Sequence, residues 1–112
     1  MMKKENKLRN LFVGWSIDND NIIEMKLTCF ACPVQFEGKL KDNNYFYYRE
    51  RHDWARFVIA KTQKLAYRAT EKEALYYVTY LVENLSPAVA AQDISKWVDN
   101  YFKRKKEEEA SE

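Results

Sequence analysis

Val34-Gln35-Phe36-Glu37-Gly38-Lys39-Leu40-Lys41 is followed at once by Asp42-Asn43-Asn44, Tyr45-Phe46-Tyr47-Tyr48-Arg49-Glu50-Arg51, His52-Asp53 and Trp54-Ala55-Arg56-Phe57-Val58-Ile59-Ala60. The first piece alternates apolar and polar residues, the signature of a half-buried strand. The third and fifth are rich in aromatic and β-branched residues, and the two short pieces between them are turn formers. The run predicts a three-strand antiparallel meander. A three-residue loop at Asp42-Asn43-Asn44 sets Leu40 opposite Phe46, Gly38 opposite Tyr48 and Glu37 against Arg49. A two-residue turn at His52-Asp53 sets Arg51 opposite Trp54, Tyr48 opposite Phe57 and Phe46 opposite Ile59. Both registers place Val34, Phe36, Leu40, Phe46, Tyr48, Phe57 and Ile59 on one face, whereas a one-residue slip would scatter them.

Upstream, Ile23, Met25 and Leu27 alternate with Glu24, Lys26 and Thr28, predicting a strand over 22–30 after the turn cluster Asp18-Asn19-Asp20-Asn21. Leu11–Ile17 reads as its hairpin partner, with a helix through Leu8–Ile17 as the competing reading. Pro33 breaks the chain or marks an edge. Downstream, Thr70-Glu71-Lys72-Glu73 matches a capping box. Ala74, Tyr77, Val78, Leu81, Val82 and Leu85 then recur at helical spacing. Ser86-Pro87 reads as the cap and first residue of a second helix, striped by Val89 or Ala90, Ile94, Trp97, Val98 and Tyr101. Lys103–Lys106 and Glu107–Glu109 permit ion pairs one turn apart. The expectation is an α+β fold: an antiparallel meander of four to five strands, then an antiparallel helix pair packed on one sheet face. Residues 1–10 read as a flexible or short helical leader, 11–105 as a single domain and 106–112 as a charged tail.

The chain has 112 residues, of which 46% are hydrophobic, enough for one core without metal or disulfide support. Two glycines exclude every multi-glycine phosphate loop. No apolar run reaches the length of a membrane span or a signal peptide, so the reading is a cytoplasmic protein with no membrane role. Net charge is only +2, but the excess is local. Residues 37–64 carry Lys39, Lys41, Arg49, Arg51, Arg56, Lys61 and Lys64 against Glu37, Asp42, Glu50 and Asp53.

The outward face of the meander presents Lys39, Tyr45, Tyr47, Arg49, Arg51, Trp54 and Arg56 together. Tyr, Trp and Arg supply most interface hot spots, so these seven are the candidate binding residues and a protein partner the leading expectation. Plain sheet surface is the competing explanation, since tyrosine favours strands; Arg49 opposite Arg56 is what it explains worst, because like charges face each other. The same rings and guanidinium groups would suit single-stranded nucleic acid, the alternative partner. A homodimer, by the same face or an exposed strand edge, is a further form.

Cys29-Phe30-Ala31-Cys32 is a Cys-x-x-Cys, but one such motif and the single histidine, His52, fall short of four zinc ligands. A thiol redox enzyme through Cys29 and Cys32 is the third reading; the motif sits at a strand end rather than a helix start, which argues for two ordinary thiols. His52 beside Asp53 reads as a turn. No cofactor, metal or catalytic residue is implied, and the chain reads as a non-enzyme. Phe36-Glu37-Gly38, Tyr45–Arg51 and Trp54 together resemble small proteins of phages and mobile elements, which assigns no residue a role; the small size and the lack of catalytic signatures are compatible with an inhibitor that binds a host protein.

Overall fold

The computed structural model describes residues 19–29, 34–82 and 86–110. Among the described residues five strands, β1 (Ile22–Cys29), β2 (Gln35–Leu40), β3 (Tyr45–Arg51), β4 (Trp54–Ala60) and β5 (Tyr76–Leu81), form one sheet in sequence order. Every neighbouring pair is antiparallel. A short helix, α1 (Gln63–Arg68), lies between β4 and β5, and a long one, α2 (Pro87–Ala110), ends the described chain. The fold is α+β. The reading of Leu8–Ile17, Cys32 and the last two tail residues falls outside the described residues.

The meander follows the expected register on one side and departs from it on the other. Across β3 and β4, Arg51 faces Trp54, Tyr48 faces Phe57 and Phe46 faces Ile59. His52 and Asp53 form the two-residue turn, both at positive φ, 52° and 68°. Across β2 and β3, however, Gly38 faces Phe46, Phe36 faces Tyr48, Glu37 faces Tyr47 and Gln35 faces Arg49. The loop is Lys41-Asp42-Asn43 rather than Asp42-Asn43-Asn44. Leu40 donates to the Asn44 carbonyl at 2.8 Å, and Asn43 takes the left-handed position at φ 71°. Asp42 closes the loop by accepting from the Asn44 backbone at 3.1 Å. Starting one residue earlier moves each partner by two, which preserves the faces. The core list therefore stands although the pairs do not, and Glu37 lies diagonal to Arg49 instead of opposite it.

Of the helix expected over 70–85, residues 83–85 lie outside the described residues, and across the rest β5 stands in its place. Half of the capping box forms: Thr70 N–H donates to Glu73 Oε1 at 3.1 Å, but Thr70 Oγ also donates to that oxygen, at 3.2 Å, and the Glu73 amide bonds to the Thr70 carbonyl at 3.0 Å instead of to the hydroxyl. It closes a single turn and goes no further. Tyr76-Tyr77-Val78-Thr79-Tyr80-Leu81 is made of aromatic and β-branched residues that favour strands. The free edge of β4 offers them a ladder. Val78 and Val82 fit both a helical stripe and a period-2 face, and the ladder decides.

The two helices consequently cover opposite faces instead of pairing on one. Under α2, Met25, Phe36, Leu40, Phe46, Tyr48, Phe57, Ile59 and Tyr76 pack with Ala90, Ala91, Ile94, Val98 and Tyr101. Ser86 caps α2 as expected, its Oγ accepting from Val89 N at 3.3 Å. On the other face, Tyr47, Ala60 and Ala66 form a second cluster with Tyr45 and Leu65 packed against it. No helix among the described residues is long and apolar enough to cross a membrane.

Candidate functional site

The face that carries the candidate residues is half roofed. Thr62 caps α1, its Oγ1 accepting from Leu65 N at 3.1 Å. Gln63 Nε2 donates to the Phe46 carbonyl at 3.0 Å and fixes the entry of the helix. Where α1 ends, Arg56 takes over: Nη2 donates to the Ala69 carbonyl at 2.6 Å and Nη1 to Tyr67 at 3.3 Å. A guanidinium at a helix C-terminus answers both the orphan carbonyls and the dipole. Its charge also sits 5.5 Å from the Tyr77 ring centroid.

This roof reassigns part of the expected surface. Tyr47 is only 3% exposed, beneath the ring of Tyr67 at 5.1 Å and 69°. Tyr45 is half-buried against the second cluster, with the Lys39 ammonium 5.6 Å from its ring. Lys39 and Tyr45 thus pair with each other at the far end of the face and do not join the rest. The open sheet face of the sequence reading is, in fact, a cleft at one end.

That cleft has a volume of about 480 Å³ and is lined by Tyr47, Arg49, Arg51, Trp54, Ala55, Arg56, Tyr67 and Thr79. Five of the seven candidate residues meet there, and its size lies within the range of ligand sites. Trp54 and Tyr67 are 51% and 58% exposed and present rings at its mouth. Among the described residues no carboxylate lines it. Arg49 lies directly across from Arg56. The like-charge conflict is relieved on one side only, since Arg56 is committed to α1. Arg49 has no acidic partner among the described residues, and its Nε is buried without a hydrogen bond. The Tyr47 hydroxyl is likewise buried and unpartnered. Burial raises the Tyr47 pKa, Tyr67 and Glu37 push the same way, and Arg49 and Arg56 oppose. The hydroxyl therefore keeps its proton and remains a donor. Two unspent donors, one cationic, stand in one wall of the cleft beside two exposed rings.

Sequence reasoning missed Tyr67 and Thr79 because it left residues 61–69 unassigned and read 79 as helical. Thr62 before Gln63-Lys64-Leu65-Ala66, a cap followed by good helix formers, was the available signal. His52 is exposed at the hairpin tip, and Cys29 ends β1. Among the described residues no three His, Cys, Asp or Glu side chains gather as a metal would require. Compared with known family models, curated proteins and solved structures, the chain matches none.

Proposed function

We propose that the chain is a non-enzymatic binding module that holds an acidic segment of a partner protein in this cleft. The observation that supports it most is the pair of unspent donors, Arg49 Nε and the Tyr47 hydroxyl, in a wall to which no described residue brings a carboxylate. A buried donor left unpaired costs about 1–3 kcal/mol, which an incoming carboxylate would recover. Arg49 meets it side-on through its fork of N–H groups, Arg51 screens it at the rim, and Trp54 and Tyr67 clasp the flanking residues. Single-stranded nucleic acid draws on the same exposed rings. It has less support, because Tyr47 is turned edge-on under Tyr67 and Tyr45 is packed away, which removes the row of stacking platforms such ligands use.

A peptide array probed with labelled protein tests the proposal. Spots with Asp or Glu beside an aromatic residue are expected to retain the chain, and Arg49→Gln to weaken that retention roughly tenfold or more. Retention indifferent to acidic residues, or unchanged by Arg49→Gln, would sink it. Binding of an oligothymidylate that weakens steeply with salt would move the nucleic-acid reading to first place.

A further inference from the structure

The two edges of the sheet are unlike. β1 carries exposed Glu24 and Lys26, and its pairing with β2 is interrupted by register shifts near both ends. Charges and bulges are the usual guards against unwanted strand pairing. β5 has neither. From Ala74 to Val82 the chain contains no charged residue, and β5 pairs with β4 over its whole length without a register shift. Leu81 is 68% exposed, and Trp54, its neighbour across the ladder, is 51% exposed.

The ladder also fixes which backbone groups are left over. Val82 N–H bonds to the Asp53 carbonyl at 2.9 Å. Bonded pairs alternate along an antiparallel ladder, so Tyr76, Val78 and Tyr80 turn their amides and carbonyls toward β4. Tyr77, Thr79 and Leu81 turn theirs outward. Among the described residues nothing accepts or donates to them.

We infer that β5 pairs antiparallel with β5 of a second copy of this chain, joining two five-stranded sheets into one. The occupant follows from self-complementarity. A two-fold axis at Thr79 sets Thr79 against its own copy and Tyr77 against Leu81, twice. Those three positions are the ones with free backbone groups, so the ladder closes on itself. Leu81, 68% exposed, then lies beside an aromatic ring, a favourable cross-strand pair. No charge in β5 opposes the approach. On the α1 face, Arg56 of each copy is in line with Thr79, and the two stand on strands three spacings apart, about 14 Å, beyond the screening length at physiological salt. Each is held on its own α1.

Sedimentation equilibrium of the whole chain over a wide concentration range, with amide exchange at both ends of that range, tests this. The mass is expected to rise to twice that of one chain. The Tyr77, Thr79 and Leu81 amides should slow by roughly tenfold or more as it does, while the Val78 and Tyr80 amides stay as protected as before. Thr79→Lys, an exposed edge position, should keep the circular dichroism of the fold and remain monomeric. Lys26→Glu on β1 should leave the dimer intact. A monomer at every concentration overturns the inference. So does a dimer in which those three amides exchange freely, or one indifferent to Thr79→Lys in a folded variant.

Discussion

Gly38 sits mid-strand with its α-hydrogen where any other residue would place a methyl group against the Glu24 carbonyl. That methyl would also lie 2.5 Å from Cε2 and 2.7 Å from Cζ of Phe46. Phe46 faces Gly38 across the ladder, is fully buried and packs 5.8 Å from Phe57. Neither backbone nor ring has room to retreat. Gly38→Ala is expected to cost about 3 kcal/mol, read as a lower urea midpoint with the slope unchanged. The opposite sign is expected at the tip of the next hairpin. His52 and Asp53 both hold positive φ without being glycine, in a turn whose preferred sequence is Asn-Gly. His52→Asn with Asp53→Gly should stabilise the fold by about 1 kcal/mol, seen as a higher Tm. Gly38 and the hairpin tip were both legible in sequence as strand and turn. The close approach that makes glycine necessary was not, because it depends on a register two residues away from the one the residues alone suggest.

At the scale of elements, legibility tracked whether a segment's pattern could be satisfied locally. The β3–β4 register was readable because a two-residue turn leaves no freedom between its strands. The β2–β3 register allowed loops starting at 41 or 42, and the Asp42 side chain, which accepts from the Asn44 backbone, favours the earlier start. β5 was misread because a cap, here only half formed, no more than begins a helix; the residues after it must prefer to continue it, and Tyr76–Leu81 prefer a strand. α1 was invisible to periodicity at six residues, and with it the roof that turned an open face into a cleft. That roof hangs on Arg56. Arg56→Ala removes both bonds to the Tyr67 and Ala69 carbonyls while leaving the sheet ladder whole. The Ala66 and Ala69 amides, which close α1 on Thr62 and Leu65, should then exchange roughly tenfold faster. Amides of β3 should be unaffected. Equal acceleration in both would mean that α1 and the sheet open as one unit.

For the whole molecule, the clasp of α2 on the sheet is polar at both ends and titrates in opposite senses. Toward the C-terminal end, Asp42 Oδ2 accepts from Tyr101 at 2.6 Å and from Lys105 at 2.9 Å, and Asn44 Nδ2 adds a bond at 2.9 Å. Burial pushes this carboxyl up, but these donors outweigh it and leave its pKa below the ordinary 3.8. Its stabilisation is present above that value and is lost as pH falls through the depressed one. Toward the other end, Glu50 is 8% exposed and accepts from the Tyr48 hydroxyl at 2.7 Å. Asp93, on the facing side of α2, accepts from Tyr80 at 3.0 Å. Burial raises the Glu50 pKa, the Tyr48 bond opposes, and the charge of Asp93 adds to the rise. The fold therefore favours protonated Glu50. That contribution is complete below its ordinary 4.5 and is lost as pH rises through the raised value. Stability should peak in mild acid between the two. Asp42→Ala is expected to cost about 2 kcal/mol at neutral pH, since three side-chain donors lose a charged acceptor. Glu50→Gln keeps an acceptor for Tyr48 and removes the charge, so it should match the wild type near pH 4 and exceed it at pH 7. Urea unfolding of both proteins along a pH series reads this directly. A wild type that gains on Glu50→Gln as pH rises would mean that a cation reaches Glu50 and that its buried charge is an asset to the fold.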